Sequence, residues 1–377
     1  MTVLFCLSHI KKSLQWLWYA EQLKKEGIQQ VYVIIDINND KDLYLCDDLS
    51  KLDIPVYKLP HTGKLSHFKN MLMTADLIKQ HNVDLIHTSL PFGNLVGQVA
   101  GRMAGLNKLV TTCENVSWAH DFQNKKQERL DKFTFKTAQR VIATSDIARK
   151  YLDENWDFDK SKLSTIYHGV NPADYEVSPE RVAAVRDQLR DLPLDSSFVV
   201  GVLSRFEFWK GHQFIIEAAN LLKDYPEIRF FIFGVKGSFY EEAMTLIAQY
   251  GLENKVIYGG FVNDTSALYQ LFDVHLHVPI DEHVETGGIT IIEGMMARRP
   301  QILTRSGYAY QSARHLENAY VVPFQNAPAI AEAVLYMKNH PEEAQRMANQ
   351  AHQDAYTFSV QEKTRQHIEL YQSLLDS

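Results

Sequence analysis

Short apolar runs rich in Val and Ile alternate along the chain with segments whose apolar residues recur at helical spacing. This is the pattern of βα units wound around a parallel sheet. In the first half it predicts strands at residues 2–8, 31–37, 83–88, 108–112 and 140–144, with helices such as 13–25, 66–81 and 95–104 between them. The pattern restarts with strands at 198–203, 229–234, 255–258, 274–278 and 301–304. A restart of this kind predicts two α/β domains: 1–172, a linker at 173–197 punctuated by Pro179 and Pro193, and 198–355. A last segment, 356–377, carries a closing helix. Ligands of open α/β sheets sit beyond the carboxyl ends of the strands, so functional residues are expected just after strands, at a cleft that the two domains face.

Composition narrows the class. With 45% hydrophobic and 23% charged residues, 18 Gly, 12 Pro and 3 Cys in 377 residues, collagen-like, disordered and disulfide-framework readings are excluded. Cys6, Cys46 and Cys113 lie far apart without a C-x-x-C spacing, which fits a reducing cytoplasm and implies neither zinc nor disulfides. The N-terminus lacks a basic region before its apolar residues and reads as a first strand rather than a signal peptide. No run approaches the ~20 apolar residues that cross a bilayer, so any membrane contact is expected to be peripheral.

Charge changes the picture more. The net charge of −7 argues against a general nucleic-acid binder. It is unevenly spread: residues 1–170 hold 22 Lys and Arg against 19 Asp and Glu, a net +3, and residues 171–377 hold 17 against 27, a net −10. An N-terminal half of this sign leaves room for approach to an anionic surface. The helix at 13–25 adds Trp16, Trp18 and Tyr19 beside Lys24 and Lys25, and the stretch 125–150 is basic. That combination reads either as a membrane-interface signature or as a core-facing helix with snorkelling lysines.

The loop 202–211, VLSRFEFWKG, follows a strand and leads into a helix. Arg205 offers a planar fork to phosphate oxygens and Lys210 a flexible point charge, which together make an anion site, or else two surface cations on a polar loop. The segment 285–293, ETGGITIIE, also follows a strand. Gly287 and Gly288 clear side chains where backbone amides would approach a ligand, and Glu285 and Glu293 can face different hydroxyls of one molecule. In the turn at 259–269, Asp264 or Thr265 caps the next helix, and backbone groups there and at 234–237 either border a planar base or form ordinary βα loops. His275 and His277 share a strand face without a third ligand, and they read with His283 as satisfied or solvated imidazoles rather than a metal site. Asp157 and Asp159 read as a solvated cap. G-x-S-x-G, G-x-G-x-x-G and Walker A patterns are absent, so esterase-type, dinucleotide and P-loop readings gain no support.

Taken together, these residues resemble the retaining family-4 glycosyltransferases of the GT-B fold, over most of the chain. Arg205 with Lys210 and Gly211 is similar to the family's R-x4-K-G motif, and Glu285 to Glu293 to its E-x7-E motif, followed by GMMARRP at 294–300 and by Gly307. Tyr167, His168, Gly169, Val170 and Asn171 are similar to its N-G-V-D signature. The resemblance implies a GT-B type α/β fold with two Rossmann-like, doubly wound parallel-sheet domains, and a final helix that returns to the first.

It also implies roles. Arg205 and Lys210 would neutralise the diphosphate of a nucleotide-sugar donor, a UDP-sugar, and Glu293 would hold the ribose. Glu285 and the amides of Gly287, Gly288 and Ile289 would hold the transferred sugar, with Phe261 and Val262 bordering the donor. Retention proceeds on one face of the sugar with no enzymic nucleophile, no metal and no cofactor. The acceptor would be a sugar or lipid-linked hydroxyl in polysaccharide, lipopolysaccharide or glycolipid synthesis, on the cytoplasmic side and peripheral to the membrane.

The chain departs from the family at several places. SHIKK at 8–12 stands where the family has a Gly-rich loop, and Glu114 stands near the usual His of a mid-domain strand. Trp118 and His120 are neighbouring acceptor-side candidates. His168 replaces the usual Asn, and Thr-Gly-Gly follows Glu285 in place of x-Phe-Gly. The other readings are a GT-B epimerase or hydrolase acting on the same glycosyl–phosphate bond, and a non-catalytic nucleotide-binding partner subunit.

Overall fold

A computed structural model describes residues 1–37, 43–114, 116 and 125–376. The chain divides into two compact units, Met1–Val170 with Phe358–Ser377, and Asn171–Thr357.

The first unit is built on seven parallel strands in the order β3-β2-β1-β4-β5-β6-β7. These are β1 (Thr2–Ser8), β2 (Gln29–Asp36), β3 (Val56–Pro60), β4 (Leu85–Ser89), β5 (Leu109–Cys113), β6 (Arg140–Ala143) and β7 (Leu163–Thr165). Val3 pairs with Gln30 on one side and Leu85 on the other. Strands covered on both faces must be apolar throughout, and β4 and β5 are buried along their whole length. The helix Pro91–Met103 lies directly on the sheet because glycines at 93, 97 and 101 clear its contact face. A Cβ at Gly93 would stand 2.6 Å from the Cys6 carbonyl oxygen, and one at Gly97 2.6 Å from the Thr88 methyl.

The second unit has six parallel strands in the order β10-β9-β8-β11-β12-β13. They are β8 (Phe198–Leu203), β9 (Ile228–Phe233), β10 (Val256–Gly260), β11 (Val274–His277), β12 (Gln301–Leu303) and β13 (Tyr320–Val321). Val200, Val202, Phe230, Ile232, Leu276 and Ile302 form the strand side of its core, packed against Ile215, Ile216 and Val334 from flanking helices. In each sheet the winding reverses beside the first strand, between β1 and β4 and between β8 and β11. Such a reversal opens a crevice at the carboxyl ends of the strands.

Three strands have no counterpart in the sequence reading. β3 is half exposed, β7 has three residues and β13 two. None is long or apolar enough to stand out from its loops. The aromatic helix Leu14–Lys25, capped by Ser13, turns Trp18, Tyr19 and Leu23 inward. Trp16 packs edge-on against Phe5 at 5.9 Å. This helix therefore serves the core, the second of its two readings. No helix among the described residues is long and apolar enough to cross a membrane.

The chain rejoins the first unit through a short backbone exchange: Val170 N–H donates to Phe358 O at 3.0 Å and Val360 N–H to Val170 O at 2.8 Å. Ser359 then caps the helix Val360–Leu375. The approach is so close that a Cβ at Gly169 would stand 2.5 Å from Val360 Cα. Gly169→Ala is therefore expected to cost about 1–3 kcal/mol by overpacking. Urea melts measure the loss, and unchanged stability would show that this contact is not tight.

Candidate active site

At the carboxyl ends of β8 and β9, a cavity of about 220 Å3 is lined by Arg205, Gly234, Phe261, Val262, Thr290 and Glu293, among others. The structure thus collects four of the sequence candidates, Arg205, Phe261, Val262 and Glu293, together with the turn at Gly234. Arg205 is exposed and makes no ion pair among the described residues. Phe261 is exposed too, whereas Val262 is buried. Below them, Asp264 caps the helix Thr265–Tyr269 by accepting from Ala267 N–H at 3.0 Å, and Arg181 grips the same carboxylate at 2.7 and 2.8 Å. Glu293 projects from the helix Ile289–Met296. It accepts from the Tyr269 hydroxyl at 3.2 Å, and burial pushes its carboxyl above the usual range. Burial and the Glu293 carboxylate in turn push the Tyr175 hydroxyl well up.

Lys210 closes a 3-10 turn, Phe208–Lys210, and Gly211 follows with φ 78°. Glycine is required here for two reasons. The backbone is left-handed, and a Cβ would collide with the Val278 carbonyl oxygen at 2.0 Å. The turn is thereby pressed onto the end of β11, and Lys210 Nζ forms an ion pair with Glu285 Oε1. His277 Nε2 lies 3.7 Å from the same oxygen. Burial, then the neighbouring Lys210 and His212, hold the His277 imidazole well below its ordinary pKa, so it is neutral. Its Nδ1 is 3.4 Å from Thr290 Oγ1, which links the pair to the cavity that Thr290 lines. Gly288, with φ 79°, caps the helix Ile289–Met296, and the Gly287 carbonyl accepts from Tyr308 N–H at 2.6 Å. The two residues read separately from sequence as a phosphate cation and a sugar-facing carboxylate thus stand as one pair.

His275 is buried beside Gln301, whose Nε2 is 3.0 Å from its Nδ1, and His283 sits 3.3 Å from Glu282. Asp159 accepts from Ser161 N–H at 3.0 Å, a local cap. The side chains of this region that sequence reasoning missed are Tyr175, Tyr269 and Tyr308. Tyrosines at helical spacing are indistinguishable from core, and only the fold turns their hydroxyls or rings toward the glutamates and glycines.

In the first unit, Glu114 follows β5 and accepts from Ser89 Oγ at 2.6 Å, while its second oxygen meets His168 Nε2 at 2.9 Å. Burial alone would raise this carboxyl, but His168, Ser89 and Lys363 hold it down to about 2. Lys363 comes from the final helix. Its ammonium lies 4.5 Å from the Tyr19 ring centre and 5.6 Å from that of Trp16, and burial lowers its pKa to about 8. His87 bonds Tyr371 Oη at 2.5 Å and Thr112 Oγ1 at 2.6 Å, and burial holds it neutral with a pKa of about 3. Glu114, His168, Lys363 and His367 line one small cavity with Trp16 and Tyr19. His168 and the final helix complete this cluster, and neither was paired with Glu114 in the sequence reading. Trp118 and His120 lie outside the described residues. No group of three or more His, Cys, Asp or Glu among the described residues is arranged to hold a metal ion.

Two family models match adjoining parts of the chain, Glycosyltransferase Family 4 over residues 19–174 and Glycosyl transferases group 1 over residues 186–354. EpsD of Bacillus subtilis, assigned as a glycosyltransferase, is 24% identical over an alignment of 396 residues that covers 99% of this chain and 97% of that one. The D-inositol 3-phosphate glycosyltransferase of Corynebacterium urealyticum is 24% identical over 356 residues, 87% of this chain and 78% of the relative. Among solved structures, Anabaena Alr3699/HepE in complex with UDP superposes with a TM-score of 0.83 at 22% identity, covering 99% of this chain and 100% of that one. The chain is a glycosyltransferase of the GT-B fold, family-4-like in its first half and of group 1 in its second.

Proposed function

We propose that the chain transfers a sugar, with retention, from a UDP-sugar to a hydroxyl of a polysaccharide, lipopolysaccharide or glycolipid acceptor. The observation that carries this reading is the grouping of Arg205 and Glu293 in one cavity, tied through Thr290 and His277 to the Lys210–Glu285 pair. When the glycosyl–phosphate bond breaks, negative charge gathers on the departing diphosphate, and preorganised cations lower that barrier. Arg205 and Lys210 supply them, with the amides of Gly287, Gly288 and Ile289 at the start of the helix Ile289–Met296. Glu293 accepts from the ribose hydroxyls, Phe261 and Val262 border the base, and Glu285 turns to the sugar as Lys210 turns to phosphate. The UDP complex of HepE supports uracil as the base. No metal takes part in this scheme.

Glu114 and His168 are assigned to the acceptor side. A membrane-borne acceptor fits the exposed face of the helix Lys64–Gln80, where Leu65, Phe68 and Leu72 are 90%, 61% and 42% exposed beside the exposed Lys69. That face takes the place of the inward-turned aromatic helix as the peripheral contact.

Lys210→Met is expected to lower kcat by about 10²–10³-fold in a UDP-release assay with acceptor present. Undiminished transfer would remove the charge role, and hydrolysis or epimerisation of the donor without acceptor would replace the transferase reading. Calorimetry with UDP, GDP and ADP should show selective binding of UDP.

Glu114 has a folded pKa of about 2 against an ordinary 4.5, so its contribution is fully present above pH 4.5 and fades as the pH falls toward 2. At pH 7 it amounts to roughly 3 kcal/mol. Urea melts of Glu114→Gln should therefore show a deficit against the wild type that shrinks across that window. A deficit constant with pH would deny the charge pairing. Replacing Leu65 and Phe68 by Ser is expected to reduce co-sedimentation with phosphatidylglycerol vesicles several-fold and to leave UDP affinity unchanged. Equal sedimentation would dismiss this helix as the contact.

A further inference from the structure

Several arginines of the second unit are matched by carboxylates: Arg181 by Asp264, Arg186 by Asp195, Arg314 by Asp354 and Glu317, and Arg346 by Glu343. Arg298 and Arg299 have no carboxylate at ion-pair distance among the described residues. They immediately precede β12, at the amino edge of the parallel sheet, and so lie at the opposite edge from Arg205. A cavity of about 490 Å3 opens there, lined by Tyr175, Gln270, Met296, Arg298, Arg299 and His352 among others.

Arg299 takes its hydrogen bonds from neutral dipoles, and the Asp273 carboxylate acts on it from beyond bonding distance. It donates to the carbonyls of Ala297 at 3.1 Å and Phe272 at 3.2 Å, and to Gln270 Oε1 at 3.1 Å. Arg298 points one nitrogen, Nη2, at His352 Nε2 at 3.2 Å. His352 Nδ1 faces the Met296 carbonyl at 3.0 Å, so Nδ1 carries the proton and Nε2 accepts. The remaining donors of Arg298 have no partner among the described residues. Glu176, the carboxylate in the cavity wall, is exposed and pairs with neither guanidinium. Two positive charges therefore border the cavity, the exposed Arg298 with no carboxylate at ion-pair distance among the described residues and Arg299 with Asp273 acting on it only from beyond that distance, an arrangement that favours an anion.

The backbone points the same way. The helix Ile289–Met296 ends in a Schellman turn, with Arg299 N–H donating to Gly294 O at 3.0 Å and Arg298 N–H to Met295 O at 3.1 Å. Arg298 occupies its left-handed position at φ 54°. Glycine takes that position without cost. A cation elsewhere in the last turn would complement the helix dipole equally well, so the dipole does not account for an arginine at this strained place.

We propose that this cavity is a second ligand site, for a phosphomonoester of the size of a sugar phosphate. Arg298 and Arg299 provide charge for the phosphate, and the Tyr175 ring and Met296 provide apolar wall for the sugar. The site does not depend on the donor reading.

The test is calorimetric titration of glucose 6-phosphate into the full chain, with UDP present in excess so that the donor pocket is occupied. The wild type is expected to show saturable binding. Arg298→Gly should raise Kd at least tenfold, whereas Lys210→Met leaves it unchanged. The melting temperature of Arg298→Gly, expected to rise by about 2–4 °C as the strained turn relaxes, excludes unfolding as the cause. Absence of saturable binding overturns the site. So does binding that survives Arg298→Gly and is lost in Lys210→Met, since the ester would then occupy the donor pocket. If UDP itself fails to bind, the donor reading falls alone, and the same two variants titrated without UDP still decide this one.

Discussion

A charged side chain kept ready at the end of a buried strand must be paired, or it will shed its charge. That constraint organises the second unit. Lys210 is largely buried and has Glu285; Arg205 is exposed to solvent. The pair needs a third group that does not disturb its balance, and His277 meets that need by being neutral, its proton disfavoured by burial and by Lys210 itself. The geometry is set by backbone: the turn holding Lys210 can reach β11 only because Gly211 lets it rest on the Val278 carbonyl. A single Cβ there would move the ammonium away from its carboxylate.

The first unit answers the same constraint differently. Glu114 is strongly ionised although it is enclosed, because Ser89 and His168 each satisfy one oxygen. Lys363 is enclosed without a carboxylate at ion-pair distance among the described residues and rests its ammonium on the faces of Tyr19 and Trp16. Aromatic faces are weaker partners than carboxylates, and its pKa falls to about 8 while that of Glu114 falls to about 2. The final helix is therefore part of the electrostatics of this cluster as well as a fastening of the chain end. It brings His367 and Tyr371 to bear on His87, so that three imidazole and phenol groups are held uncharged beside the ionised Glu114.

Much of this was legible in the chain itself. Strands enclosed on both faces announce themselves as largely apolar runs, which is why β1, β8 and β9 stood out. β3, β7 and β13 are short or half exposed, and their residues carry no comparable pattern. Arg205, Glu285 and Glu293 were legible because they follow strands and flank glycines. The pairing of Lys210 with Glu285 was not, since 75 residues separate them and no local rule joins a 3-10 turn to a loop beyond another strand. Nor was His168 with Glu114. The aromatic content of the helix Leu14–Lys25 misdirects for a physical reason: Trp and Tyr beside lysines serve a bilayer interface and a core edge equally well, and only the neighbouring Phe5 and Lys363 decide between them.

Net charge misleads in the same way when it is taken as a guide to ligands. Residues 171–377 carry −10 overall, yet Arg205 borders one of their cavities and Arg298 with Arg299 another. The resolution lies in range. Salt screens charges beyond about 8–10 Å, so the distant acidic residues on outer helices contribute little inside a pocket. An arginine at bonding distance in a medium of low effective dielectric contributes several kcal/mol. In the proposed scheme the net acidic charge bears on how fast an anion arrives, and Arg205, Lys210, Arg298 and Arg299 on where it stays. Local placement, rather than total charge, is then what distinguishes one part of this surface from another for an anion.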